Sequence, residues 1–461
     1  LKKRIAIIGG GVAGVAAASE LARMDAPVEA ILFEASGRLG GIVETVHEQG
    51  FTIECGPDGW VTEKPWARQL AEELGLGDQI IPSNDATRKT YILIDGKLVA
   101  MPDGMRMMVP SDLEALDQSP LFSDLAKQSY REEPLRAAEL KATAPNEDES
   151  VASFVRRHFG DEVLEKIGAP LLSGVFGGDV TTLSVRAVMA PFVAMEREHG
   201  SLIAAIQARA TAKISAIFTT LRSGLGTLID AMAAAIPSSA IRLQTSVLSI
   251  ARETNGWAVE TPSGVEHFDA VLLAAPVDVA RSLLLDTDRR AADLMQMEAS
   301  SAVVVAFAFT EPVDLPPGFG FLVPPSRTST NSLLAATFVD QKFDSRVPEG
   351  SRLIRAFFGG KAGARLMAEG DHPLIDLARK ELESILGPLP FPVVTVVRRW
   401  PRSLPQYAVG HLERMAELDQ RVRALGNLWL LGNGYRGVGL PDLIRDARAA
   451  ARECLGNLQG H

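Results

Sequence analysis

Residues 3–23 read KRIAIIGGGVAGVAAASELAR: an unbroken apolar run, three glycines, then small and apolar residues at helical spacing. That pattern predicts a buried strand, a tight turn and a helix. A second apolar run, VEAILFE (28–34), predicts the next strand, and residues 50–59 a strand that ends in a Gly-Pro turn. Charges gathered on one side predict a helix over 60–81, and YILIDGKLVAM (91–101) a hairpin turning at Asp95 and Gly96. From about 105 to 210 the chain reads as helices, with starts at Asp112, at 149–150 and at Asp161. Residues 225–236 predict a helix, with Gly224 and Gly226 at its N-terminus. Residues 241–253 predict a strand, followed by strands in GWAVET and FDAVLLAAP. Between 300 and 400, SAVVVAFAF, SLLAATF and LIRAFF alternate with a helix near 372–386, the pattern of an antiparallel sheet. A last strand, NLWLLGNG, breaks into glycines before a helix that starts near Leu440.

Two of these strand ends carry candidate chemistry. Gly9, Gly11 and Gly14 form G-x-G-x-x-G between strand and helix, with Gly10 in the turn and Val12 and Ala13 opening the helix. Glu34 ends the second strand twenty positions after Gly14, the place of a carboxylate that accepts ribose hydroxyls. This is a dinucleotide-binding fingerprint, and by itself it does not separate NAD from FAD. The later ladder of Gly432, Gly434, Gly437 and Gly439 matches the same spacing, but the residues up to His461 offer no second βαβ unit. It is expected to complete the first site. Asn433, Val438, Gly439 and Leu440 would bring backbone and a helix N-terminus to the bound cofactor.

A chain of 461 residues predicts two or three domains. Hydrophobic residues at 46% and charged ones at 23% fit a globular protein, and the net charge of −10 argues against nucleic acid as a partner. Two cysteines, Cys55 and Cys454, and seven scattered histidines offer no metal site. No apolar stretch reaches the ~18 residues of a membrane span. The start, LKKRIAII, lacks a signal-peptide pattern, so a cytoplasmic location is expected.

Glu34, Ala35, Arg38, Gly40 and Gly41, followed by Ile42, form E-x-x-x-R-x-G-G. With the Gly56-Pro57-Asp58-Gly59 loop, this extension resembles the FAD-binding oxidases of the amine oxidase and phytoene desaturase superfamily. Four longer stretches sharpen the likeness: ECGPDGWVTEKPWARQLAEELGLGDQII, LLSGVFGGDVTTLSVRAVMAPFVAMEREHGSLI, RRWPRSLPQYAVGH and LLGNGYRGVGLPDLI. They resemble the oxygen-dependent protoporphyrinogen/coproporphyrinogen III oxidases of haem biosynthesis, from the first strand to the last helix.

The resemblance implies an α/β fold: a Rossmann-like (GR2-type) FAD-binding domain, an antiparallel-sheet substrate domain and a helical lobe. The FAD domain would take 1–87, 211–275 and 425–461, the substrate domain 88–104 and 276–424, and the lobe 105–210. The lobe's MRMMVP (105–110), with Leu121 and Phe122, reads either as buried core or as a face that dips into a membrane surface. The implied reaction is the six-electron oxidation of protoporphyrinogen IX by O2, with release of hydrogen peroxide; coproporphyrinogen III is the alternative substrate. The flavin carries the chemistry, and no side chain is assigned as catalytic.

By the same resemblance Arg38, Gly41, Ile42, Gly56, Pro57, Asp58, Gly59, Val247 and Trp400 lie along the FAD. Arg88 would meet a substrate propionate, and Phe176, Gly178 and Gly320 the macrocycle. Peripheral contact with the inner face of the cell membrane, a homodimer and hand-over to the next haem-pathway enzyme are attached expectations. The rivals are another FAD amine oxidase or carotenoid desaturase, and a non-catalytic porphyrin carrier.

Overall fold

The structure, a computed structural model, describes residues 2–24, 26–209, 216–325 and 332–459. The expected boundary at 210/211 lies outside the described residues. Five parallel strands form the first sheet, in the order Ile241–Arg242, Val28–Phe33, Lys3–Ile8, Ala270–Leu273, Leu428–Leu430. Their apolar runs are continuous because both faces are covered. Ile5, Ile7 and Leu272 pack under the helices Val12–Arg23, Gly226–Ala234 and Leu440–Gln459, while Ala6, Ile8, Val271 and Leu273 face the opposite side. The last strand pairs in parallel with Ala270–Leu273, as Lys3–Ile8 does, so the terminal glycine ladder opens at the same C-terminal end of the strands as the first glycine turn.

Seven strands form the second sheet, in the order Val394–Pro405, Ala299–Phe309, Arg352–Phe358, Leu333–Phe338, Gly320–Leu322, Thr90–Ile94, Lys97–Ala100. Alternation assigns its faces. Val303, Val305, Phe307, Ile354 and Phe358 pack with Leu374, Ala378 and Leu382 of the helix Asp371–Leu386, whereas Ala306, Ala308, Leu353 and Val396 face Phe51, Ile53 and Cys55. That second face therefore packs on the strand that leads into the Gly56-Pro57 turn. In the helical lobe the expected starts hold: Asp112 and Ser150 accept hydrogen bonds from the N–H groups of Ala115 and Ser153, and a helix begins at Asp161.

Four expectations change. Residues 60–81 are not one helix: Trp60–Val61 and Ile80–Pro82 pair with Phe218–Leu221, and only Trp66–Glu73 is α-helical, stopped at Gly75 with φ +77°. Residues 241–253 split between two sheets, Ile241–Arg242 in the first and Ser249–Glu253 in another, with Gln244 at φ +52° turning the chain between them. Three helices of the 276–424 segment, Val277–Leu284, Arg289–Leu294 and His411–Leu425, pack on the first sheet, because their apolar faces complete its second side. MRMMVP is a small hairpin, Met105–Arg106 with Val109–Pro110, and Met108, Val109, Leu121 and Phe122 are buried in the lobe. Of the residues weighed for membrane contact, these four are core, Met105 and Met107 are half-buried against it, and Arg106 is exposed. Among the described residues, no helix is long and apolar enough to cross a membrane.

Candidate active site

The helix Val12–Arg23 starts at Gly11 without a side-chain cap, which leaves the first N–H groups, including those of Val12 and Ala13, free for an anion. Two of the glycines are required by packing. A Cβ on Gly14 would lie 1.8 Å from the Gly9 carbonyl oxygen, and one on Gly9, at φ +109°, 2.6 Å from that of Ala274. Gly11 differs, because a Cβ there would meet nothing within 4 Å. Glu34 turns its carboxylate onto this loop, accepting from the Gly10 N–H and the Ser36 N–H, each at 2.7 Å. The segment carrying Ala35 is tied to that carrying Val247: Thr245 donates to the Glu34 carbonyl and Gln244 to that of Ser36.

The arginine loop is strapped to the first. Gly40 donates to the Gly10 carbonyl at 2.8 Å, and a Cβ on Gly41 would lie 3.2 Å from the Gly11 Cα. Arg38 turns back on its own loop, donating to the carbonyls of Leu39, Gly41 and Val43, and its guanidinium lies 5.8 Å from the Trp400 ring centroid. It acts as a clasp for the loop. The Ile42 carbonyl oxygen sits 1.9 Å from where a Gly56 Cβ would stand, so the turn Gly56, Pro57, Asp58, Gly59 continues the same wall. Trp400 pins that turn to the second sheet through Nε1–H to the Cys55 carbonyl at 2.7 Å.

At the terminal ladder, Gly432 (φ +125°) is open as Gly11 is, with nothing within 4 Å of an added Cβ. Asn433 donates to the Ser403 carbonyl, and the Tyr407 hydroxyl bridges the Asn433 carbonyl and the Gly437 N–H. Val438 and Gly439 then lead into the helix that begins at Leu440. His411 stacks on Tyr407 with centroids 3.9 Å apart, and its Nε2–H donates to the Tyr435 carbonyl. Burial pushes this imidazole down to about 4, so it is neutral.

Of the residues expected at the macrocycle, Arg88 and Gly320 come together, since Gly320 pairs with Thr90. The Arg88 guanidinium is half-buried, 3.5 Å from Asp85. Gly320 and Gly178 are glycines for packing: a Cβ would lie 2.0 Å from the Ala336 carbonyl oxygen in one case and 1.5 Å from Gln406 Oε1 in the other. Close approach to a ring is not needed to explain either. Phe176 packs against the core of the lobe, and its carbonyl accepts from Gln406 Nε2.

Sequence reading missed a buried charge cluster behind the Gly56 turn. Asp58 accepts two hydrogen bonds from Lys342 Nζ, at 3.0 and 2.9 Å, with Arg355 at 3.4 Å; Arg355 also donates to the Gly56 carbonyl. Glu54 pairs with Arg346 at 3.2 Å and accepts from the Leu225 N–H and Thr45. Burial opposes ionisation of Asp58, yet Lys342 and Arg355 hold its carboxyl below the usual range. Burial pushes Glu54 up and Arg346 down. One signal was available: an arginine in the middle of the apolar strand LIRAFF.

The open glycines, the uncapped helix start and the Glu34 carboxylate fit FAD. Residues 12–455 match the family described as flavin containing amine oxidoreductase. The chain is 32% identical to coproporphyrinogen III oxidase of Bacillus subtilis over 98% of both chains. It is 28% identical to protoporphyrinogen oxidase 1, chloroplastic, of Arabidopsis thaliana, over 97% of this chain and 87% of that one. Among solved structures, a protein from Exiguobacterium sp. described as a protoporphyrinogen oxidase superposes with a TM-score of 0.87 at 33% identity, covering 99% of both chains. Cyclohexylamine oxidase from Brevibacterium oxydans superposes at 0.74 with 16% identity over 100% of both, a likeness of fold alone. The chain belongs to the flavin containing amine oxidoreductases, and its cofactor is FAD.

Proposed function

We propose that this chain oxidises coproporphyrinogen III to coproporphyrin III, removing six electrons and passing them to three O2 with release of three hydrogen peroxide. The observation that carries this reading is the full-length likeness to a relative of that name. Bound FAD supplies the redox chemistry, taking two electrons at a time from the substrate and returning them to O2. The chain's residues orient it. Glu34 receives the ribose hydroxyls, and the N–H groups after Gly11 receive the pyrophosphate. The Gly56–Gly59 turn and the Tyr407-braced ladder hold the ring. The second sheet and the lobe enclose the macrocycle and exclude water, and Arg88 pairs with a propionate.

Sequence alone leaned towards protoporphyrinogen IX, and the plant relative's name keeps that as the second reading. One feature favours the substrate with four carboxylates over the one with two: the name of the relative matched over 98% of both chains. The test is purified holoprotein in aerobic buffer with each porphyrinogen in parallel, following porphyrin fluorescence and peroxide. Faster coproporphyrin is expected. Faster protoporphyrin would reverse the preference, and no porphyrin from either would remove the reading.

A further inference from the structure

The protein carries a net charge of −10, yet the far end of its cofactor cleft is cationic. The wall of that cleft can be followed backbone to backbone: Gly41 lies against Gly11, Gly56 against Ile42, and Asp58 two residues further on. Glu34 and the open Gly11 mark the ribose and phosphate end, so an extended FAD carries its ring towards 56–59. There Glu54 and Asp58 face Lys342, Arg346 and Arg355, and Glu44 is shared by Arg398 and Arg38. Arg38 and Arg398 are partly exposed, but in the cluster withdrawn from solvent two carboxylates, Glu54 and Asp58, stand against three cations, Lys342, Arg346 and Arg355. Arg346 and Arg355 are each only 1% exposed.

A surplus of buried cations costs stability unless negative charge arrives to meet it. The N–H groups at the head of the Val12–Arg23 helix, which has no side-chain cap, would already meet the phosphates. The flavin ring is neutral when oxidised and becomes an anion when it takes two electrons and one proton. We infer that Lys342, held against Asp58, is an electrostatic positioning residue that favours the anionic reduced ring and raises the flavin's reduction potential, with Asp58 acting in the opposite sense. This rests on FAD binding and not on the choice of substrate.

The test is the two-electron midpoint potential of the holoprotein, titrated with dithionite against a reference dye and with no porphyrinogen present. Lys342→Met is expected to lower the potential and Asp58→Asn to raise it. Each should change the reduction equilibrium about tenfold, the scale of one partly screened unit charge nearby. Lys342→Arg should restore the wild-type value. Loss of packing alone would not move the two variants in opposite directions, so unchanged potentials, or shifts of one sign, would overturn the inference. Should Lys342→Met lose its flavin, Lys342→Gln, which keeps a donor for Asp58, is measured with the same expected sign.

Discussion

The Tyr407 hydroxyl donates to the Asn433 carbonyl at 2.6 Å and, on its other side, accepts from the Gly437 N–H at 3.0 Å. One phenol thus closes a loop of glycines that has few side chains of its own to fix it. The same tyrosine's carbonyl accepts from the Ser184 N–H, and Gln406 beside it donates to the Phe176 carbonyl. Three separate sequence motifs meet at this joint.

Tyr407→Phe removes the bridge while keeping the stack on His411. Two part-buried backbone groups lose a partner, at up to about 1–3 kcal/mol. Weaker FAD retention and a lower Tm are expected, checked by flavin release during gel filtration and by thermal melts. A variant with unchanged flavin affinity would show that the ladder holds its shape without the phenol.

His411 gives this joint a pH dependence. Its folded pKa, about 4, lies below the ordinary value of 6.5 because burial disfavours the charged ring. The folded state therefore binds fewer protons than the unfolded one between those values. Its contribution is present above about pH 6.5 and is lost as pH falls towards 4, to a total of about 3 kcal/mol. The stability difference between wild type and His411→Gln should change in wild type's disfavour as the solution is acidified. Urea melts at a series of pH values read this directly.

His158 has the opposite sign. It is buried between Glu133 and Glu196, at 2.9 and 3.1 Å. Burial opposes its charge, but the two carboxylates outweigh burial and raise its pKa. Its contribution is full below the unfolded value of about 6.5 and is lost as pH rises through the folded pKa. His158→Gln should destabilise the helical lobe most in mild acid, with the gap to wild type closing in alkali. A gap independent of pH would mean that the folded and unfolded pKa values coincide, with the two carboxylates only cancelling burial.

The first sheet was legible because a parallel strand buried on both faces writes itself as an unbroken apolar run, as Lys3–Ile8 and Ala270–Leu273 do. Helix starts at Asp112 and Ser150 were legible because a cap is a local bond. What failed was non-local. Trp60–Val61 is a strand only because Phe218–Leu221 arrives from far along the chain. Lys342 and Arg355 have no spacing to announce them, since Asp58, which they share, is almost 300 residues away. Gly178 and Gly320 showed that a backbone comes close to something, but not that the something is Gln406 or Ala336.

Arg88→Ala tests the substrate side alone. The guanidinium lies outside the walls of the cofactor cleft, paired loosely with Asp85 at 3.5 Å. Losing a charged hydrogen bond to a propionate should raise KM by the equivalent of about 1.5–3 kcal/mol, with flavin content unchanged. Steady-state kinetics beside a flavin spectrum separate the two effects. An unaltered KM for both porphyrinogens would remove Arg88 from the site.

Gly320→Ala and Gly178→Ala should differ in severity, and the difference follows from what the new methyl would strike. At Gly320, φ is +139° and the obstacle is the Ala336 carbonyl, part of a cross-strand pair that cannot turn aside. Strained backbone and a broken ladder bond together cost several kcal/mol, of the order of 3 or more. At Gly178 the obstacle is the end of the Gln406 side chain, which can rotate away and gives up its bonds to the Phe176 and Leu404 carbonyls. That costs about 1–2 kcal/mol. Thermal melts should therefore rank Gly320→Ala well below Gly178→Ala, with both below wild type. Equal losses would mean that Gln406 is as fixed as backbone and that the joint between lobe and sheet is more rigid than its hydrogen bonds imply.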